Sequence, residues 1–100
     1  MTNCSILITT TDNHDLSRKL ARELIAAGLS KCAQIDKVTS IYEWEGAVEE
    51  AQEYRVMFKV ADKNLDAAQA QIAKLHNYAL PEIIAVSIDA GSAAYINWLK

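Results

Sequence analysis

The segment His76-Asn77-Tyr78-Ala79-Leu80-Pro81-Glu82 places an imidazole, a phenol and a carboxylate close together in the chain. His76 and Glu82 could share a borderline divalent metal, because imidazole and carboxylate both suit such ions. They could also act as a proton-transfer pair. A metal site needs three or four ligands, however. The plainer reading puts His76 at a helix C-terminus, where the helix dipole favours a cation. Tyr78 is then a packing residue with a bonded hydroxyl.

Other chemistry-bearing residues are more scattered. Cys32 begins a long alternating run, and a lone thiol is most often a small buried hydrophobe. A soft-metal role would need Cys4 beside it, on a neighbouring strand. His14 lies between Asp12 and Asp15 and could join them around a metal. The plainer reading is an exposed side chain at a helix start. Arg18, Lys19 and Arg22 form a basic patch that could meet an anion or the acidic hairpin tip of a neighbour, though a solvated face is the plainer reading. Five glutamates, from Glu43 to Glu53, have no basic residue among them. They read as an exposed, solvated cluster and a poor selective site, since selectivity comes from geometry and ligand type. There is no Gly-rich phosphate loop, no G-x-S-x-G elbow and no H-E-x-x-H pair. No Cys-His-carboxylate set is legible, so the chain is not expected to be an enzyme.

Those residues must be positioned by a small set of elements. Ser5 to Thr11 is rich in Ile and Thr and predicts a strand. Asp12 to Asp15 supplies helix-start residues. Leu16, Leu20, Leu24 and Ile25 then form an apolar stripe at helical spacing. Gly28 suits a left-handed cap, with Leu29 folding back in a Schellman contact. Cys32 to Trp44 alternates and predicts a long strand. Gly46 marks a turn, and Tyr54, Val56, Phe58 and Val60 alternate through a second long strand. The two form a β-hairpin with an acidic tip. Asp62 is placed to cap a second helix, carried by Leu65, Ala68, Ile72 and Leu75, and Asn77 to close it in a left-handed conformation. Pro81 leads into Glu82 to Ile88, whose near-continuous apolar run suits a strand covered on both faces. Ser92 caps a last short helix anchored by Tyr95, Ile96, Trp98 and Leu99. The order β-α-β-β-α-β plus a terminal helix predicts an α+β, ferredoxin-like (split βαβ) domain spanning residues 1–100.

The chain has 100 residues, 51% hydrophobic and 23% charged, with a net charge of −3. That is an ordinary globular composition. The mild acidity argues against nucleic acid, which requires a basic surface. No apolar run approaches the roughly 20 residues of a membrane span. No secretory leader is legible at the start, and two cysteines are too few for a disulfide scaffold. A cytoplasmic, reduced protein is expected. The first hairpin strand would extend about 40 Å, at about 3.3 Å per residue. It should overhang both helices and expose Ile41, Tyr42, Trp44 and Val48. Self-association is the simplest way to cover such a surface.

Three segments resemble one family. They are Val38-Thr39-Ser40-Ile41-Tyr42-Glu43-Trp44-Glu45-Gly46, His76-Asn77-Tyr78-Ala79-Leu80-Pro81-Glu82-Ile83-Ile84, and Tyr95-Ile96-Asn97-Trp98-Leu99, with Cys32 also standing where the family has a cysteine. The chain resembles CutA, the divalent-cation tolerance proteins. The resemblance implies a homotrimer with the hairpins packed between subunits, and a role in tolerance of divalent metals such as copper. It also implies a likeness to the PII signalling trimers, hence regulation by a small effector or a partner protein rather than catalysis. Of the family's proposed copper ligands, a first-strand Cys and a His pair, this chain has Thr9 and Leu75-His76. Only His76 carries over, with Glu82 as a second candidate metal ligand. No cofactor is required, and copper or another divalent metal is the candidate ligand. Tyr78, Trp44, Trp98 and Cys32 are the expected cleft or effector residues.

Overall fold

The computed structural model describes residues 1–100. Four strands and three helices follow the expected order: β1 (Cys4–Thr11), α1 (His14–Ala26), β2 (Cys32–Trp44), β3 (Ala47–Ala61), α2 (Leu65–Leu75), β4 (Ile83–Ser87) and α3 (Ala93–Leu99). The strands form one antiparallel sheet in the order β2-β3-β1-β4. This is the ferredoxin-like arrangement read from the sequence.

Side chains alternate between the two faces of a strand, so each strand splits into two sets. Leu7 of β1 and Val56, Phe58 and Val60 of β3 point to one face. There they meet Leu20 and Leu24 of α1 and Ala68 and Ile72 of α2, and all eight are fully buried. The opposite face is covered at one end only. Cys4 packs there under Ile96 and Leu99 of α3.

Local signals account for most element ends. Asn13 caps α1 by accepting from the Leu16 amide at 3.0 Å. Gly28 takes φ +74°, and the Gly28 and Leu29 amides donate to Ile25 and Leu24 carbonyls, completing the Schellman motif. Glu45 (φ +50°) and Gly46 (φ +84°) both adopt left-handed backbone, so a two-residue type I′ turn joins Trp44 to Ala47.

Four expectations are corrected. Asp62 does not cap α2; its carboxylate accepts from the Ser5 hydroxyl at 2.7 Å, and a short 3-10 turn leads into the helix. Asn77 does not close α2 in a left-handed conformation, because the chain leaves the helix extended at His76. Cys4 and Cys32 are not sheet neighbours, since β3 lies between their strands, and both are free thiols. β4 is not covered on both faces within one chain. It is an edge strand, and Ile84 and Val86 are each 51% exposed.

The molecule measures 44 × 25 × 21 Å. The long axis reflects the hairpin, which projects beyond both helices as expected. Ile41 and Val48 are 66% and 79% exposed, and Tyr42 and Trp44 about half.

Candidate cleft between the hairpin and the turn after the second helix

β4 pairs with β1 only from Ser5 to Thr9. Thr10 and Thr11 run on past it, and the turn after α2 takes its place. The His76 ring substitutes for a ladder partner, with Nε2 2.9 Å from the Thr10 carbonyl. Its Nδ1 accepts from the Tyr78 amide at 3.0 Å. A carbonyl needs a donor and an amide needs an acceptor. The two bonds together assign the neutral Nε2–H tautomer. Asn77 adds a second stitch: its side chain accepts from Thr11 Oγ1 at 2.8 Å and donates to Asp12 Oδ1 at 2.9 Å. His76 and Asn77 thus fix the backbone that carries Tyr78.

Tyr78 tilts against His76, with ring centroids 4.9 Å apart. Its hydroxyl donates to Glu53 Oε2 at 2.7 Å. Glu53 faces away from α1 and α2, on the alternate set of β3, opposite Val38 in the hairpin register. It is only 7% exposed. No Lys, Arg or His lies within ion-pairing distance of it, because the chain's one ion pair joins Arg55 to Asp36 at 2.8 Å. The Tyr78 hydroxyl is held well above the usual tyrosine range. Burial contributes most, followed by the bond to Glu53, the Glu53 charge and the Asp12 charge.

Two neighbouring hollows flank this pair. One, of about 380 Å³, lies among Tyr42 and Trp44 of the hairpin and Asn77 to Leu80 of the turn. The other, of about 350 Å³, includes Thr10, Ser40, Tyr42, Glu53, Tyr78 and Glu82. Tyr42, Tyr78 and Leu80 line both. The cleft therefore offers three aromatic rings, two carboxylates and hydroxyl groups.

The structure brings Tyr78, Trp44 and Glu82 to this cleft. His76 lies beneath it, with both ring nitrogens already bonded. Cys32 and Trp98 belong to another region. Cys32 is at the opposite end of β2 from Trp44, about 40 Å along the strand. Trp98 packs beside Tyr95, at 5.6 Å between centroids, with Lys31 over its ring. The Tyr95 hydroxyl is also raised above its usual range, by burial first and then by Cys32. His14 stacks on Tyr54 at 4.5 Å rather than meeting Asp12 and Asp15 around a metal. No three His, Cys, Asp or Glu side chains of one chain converge as a metal-binding group. A metal held by His76 and Glu82 would need His76 to release one of its two bonds, and further ligands from elsewhere. The first-strand Thr9 is fully buried on the helix side of the sheet, and its hydroxyl has no partner.

Glu53 is the residue that sequence reasoning misplaced among the solvated glutamates. One signal marks it. It continues, by steps of two, the face carrying Met57 and Arg55, where the strand is already inside the body of the sheet.

The fold and cleft define a class: a ferredoxin-like α+β domain with a projecting hairpin and an aromatic, carboxylate-bearing cleft at its base. Comparison narrows this. The family described as "CutA1 divalent ion tolerance protein" matches residues 5–100. A divalent-cation tolerance protein CutA of Thermus thermophilus is 31% identical over 96 residues, covering 95% of this chain and 93% of that protein. A chloroplastic CutA protein of Arabidopsis thaliana is 32% identical over 95% of this chain, which spans 53% of that longer protein. Among solved structures, CutA from Synechococcus elongatus superposes with a TM-score of 0.94 at 34% identity, covering 99% of this chain and 88% of that one. The Thermus thermophilus structure gives 0.93 at 31% identity, covering 97% and 95%. The chain belongs to the CutA family of divalent-cation tolerance proteins.

Proposed function

We propose that the protein acts as a homotrimer in the cellular response to divalent metal ions, as a binding and regulatory protein rather than an enzyme. One observation carries the assembly: the uncovered apolar face of the sheet. Ile84 and Val86 of β4, with Tyr42 and Trp44 of β2, are half exposed on the face opposite α1 and α2. Ile41 and Val48, on the other face of the hairpin, are exposed as well, and contiguous exposed apolar patches mark interaction surfaces. Association of like faces under closed symmetry covers the sheet face. The CutA resemblance favours three subunits, with the hairpins between them. No helix is long and apolar enough to cross a membrane, and the proposed setting is the cytoplasm.

Metal engagement in this reading is weak and involves ligands from more than one subunit, because one chain supplies no convergent set. The cleft between hairpin and turn supports a second role, the binding of a small effector in the manner of a signalling trimer. Light scattering and native mass spectrometry test the assembly. A three-chain mass is expected, and a monodisperse single-chain species overturns it. Calorimetry with Cu²⁺ and Zn²⁺ on wild type and His76→Ala tests the metal role. Equal binding by both removes His76 from it.

A further inference from the structure

We propose that the helix-side face of the hairpin docks a second copy of this chain, turned end for end, so that the acidic tip of each hairpin seats in a basic groove beside α1 of the other. The sheet face assigned above to subunit association is the opposite one, so the proposal is independent of the subunit number.

The groove lies at the base of the hairpin. Arg18 and Arg22 stand one turn apart on α1. With Ala21 and with Ile35 of β2 they line a hollow of about 210 Å³. Ile35 faces the helices, as its pairing with Val56 requires, yet it is 37% exposed. Lys37 follows on the same face, two residues further on. None of these three cations has an acidic partner, because the chain's one ion pair joins Arg55 to Asp36 on the other face.

The tip carries the complement. By further steps of two, Ile41 and Glu43 of β2 share this face with their β3 partners Glu50 and Val48. The register sets Ile41 beside Glu50 and Glu43 beside Val48, so apolar and acidic groups alternate. The helix layer reaches the hairpin at His14, which stacks on Tyr54. Beyond that stack the face is bare: Thr39, Ile41, Glu43, Val48, Glu50 and Gln52 are all exposed.

One face therefore has cations at its base and carboxylates at its tip, each set beside exposed apolar groups. Ile35 and Ile41 are six residues apart, about 20 Å along β2. A second copy turned end for end sets its Ile41 and Val48 over Ile35 and Ala21. Its Glu43 and Glu50 then meet Arg18, Arg22 and Lys37. A twofold axis repeats the same contacts in reverse, so one fit supplies two. The parallel arrangement would oppose like charges, which is unfavourable. A foreign acidic segment could fill the groove but would leave Ile41 and Val48 bare, whereas a second copy covers both. With the opposite sheet face engaged in the trimer, this contact joins two trimers into a six-chain species. Its charges lie at an exposed rim, so salt weakens it and the basic assembly is the species at high salt.

The test is sedimentation velocity with native mass spectrometry on the full chain, at low and high salt and over rising protein concentration. Wild type should double its mass at low salt and return to the basic assembly at high salt. Arg18→Glu with Arg22→Glu reverses the groove, and Glu43→Arg with Glu50→Arg reverses the tip. All four positions are exposed, so both variants should keep the wild-type circular dichroism spectrum and the basic assembly. Each variant alone should pair at least about tenfold more weakly. An equimolar mixture of the two should restore the doubled mass, since the groove of each then opposes the tip of the other. The proposal is overturned if wild type never doubles at low salt, if either variant alone doubles as wild type does, or if the mixture fails to restore the doubled mass. A three-chain mass that never doubles overturns this proposal alone. A single chain that doubles to two overturns the trimer alone.

Discussion

Removing the Tyr78 hydroxyl isolates the interaction that holds the cleft together. In Tyr78→Phe the ring stays and the bond to Glu53 goes. That bond is 2.7 Å long, part-buried, and has as its acceptor the carboxylate of the buried Glu53. Hydrogen bonds to charged groups contribute about 1.5–3 kcal/mol. A loss of about 2 kcal/mol is expected at pH 7, a fall in Tm of roughly 8–16 °C for a domain of this size. The effect should also depend on pH. The Tyr78 hydroxyl keeps its proton in the folded protein above the pH where a free tyrosine, at about 10, loses it. Above pH 10 the folded state therefore holds more protons than the unfolded chain, and stability falls as pH rises. The contribution is fully present below pH 10 and is lost above it, by up to about 1.4 kcal/mol per pH unit. Wild type and variant should differ most between pH 7 and 9 and converge toward pH 11. Urea unfolding followed by circular dichroism, at fixed protein concentration, measures the difference. A double-mutant cycle with Glu53→Gln isolates the pair. Equal stabilities at pH 7, or a gap that stays constant to pH 11, would refute the reasoning.

Three further outcomes are expected. Thr9→Val removes a fully buried hydroxyl that has no partner, so the urea midpoint should rise, by about 1 kcal/mol in stability; a fall would show that the hydroxyl has a partner after all. His76→Ala deletes the ring's bond to the Thr10 carbonyl of β1 and its bond to the Tyr78 amide within the turn, and should cost about 1–3 kcal/mol, with faster hydrogen exchange at the Tyr78 amide; unchanged exchange there would contradict the clip. Val86→Lys places a charge on the uncovered sheet face, and light scattering should show single chains with an intact circular dichroism spectrum. An unchanged oligomer would move the interface elsewhere.

The sequence carried most of the fold because its signals were local. Period-two alternation set both ends of β2, and Gly28 with Leu29 set the end of α1. β3 was harder. Its alternation is clear from Tyr54, but the strand starts at Ala47, because pairing with β2 holds the weakly patterned Val48 to Gln52 in register. Asp62 and Asn77 have the chemistry of caps and serve instead as long-range partners of Ser5 and Thr11, a choice made by tertiary geometry. β4 reads as doubly buried because its apolar run is continuous, yet one chain leaves a face open. The cleft was half legible. Tyr78, Trp44 and Glu82 share it, whereas Cys32 and Trp98 do not, since a motif gives residue types and not the distance between strand ends. Glu53 was hidden because Tyr78, which buries it, lies 25 residues away.

The strand order also sets a timetable for the emerging chain. β1 is made first and ends up inside the sheet, but its partners are Tyr54 to Ala61 and Ile83 to Ser87. The β2–β3 hairpin needs only its own two-residue turn, and hairpins form in about 1–10 μs. At about 5–20 residues per second of synthesis, β1 waits several seconds for β3 and longer for β4. Ile6, Leu7 and Ile8 spend that interval without strand partners. α1 follows them directly, and its Leu20 and Leu24 pack on Leu7 in the finished core. On the ribosome, that helix is the first cover the strand can find.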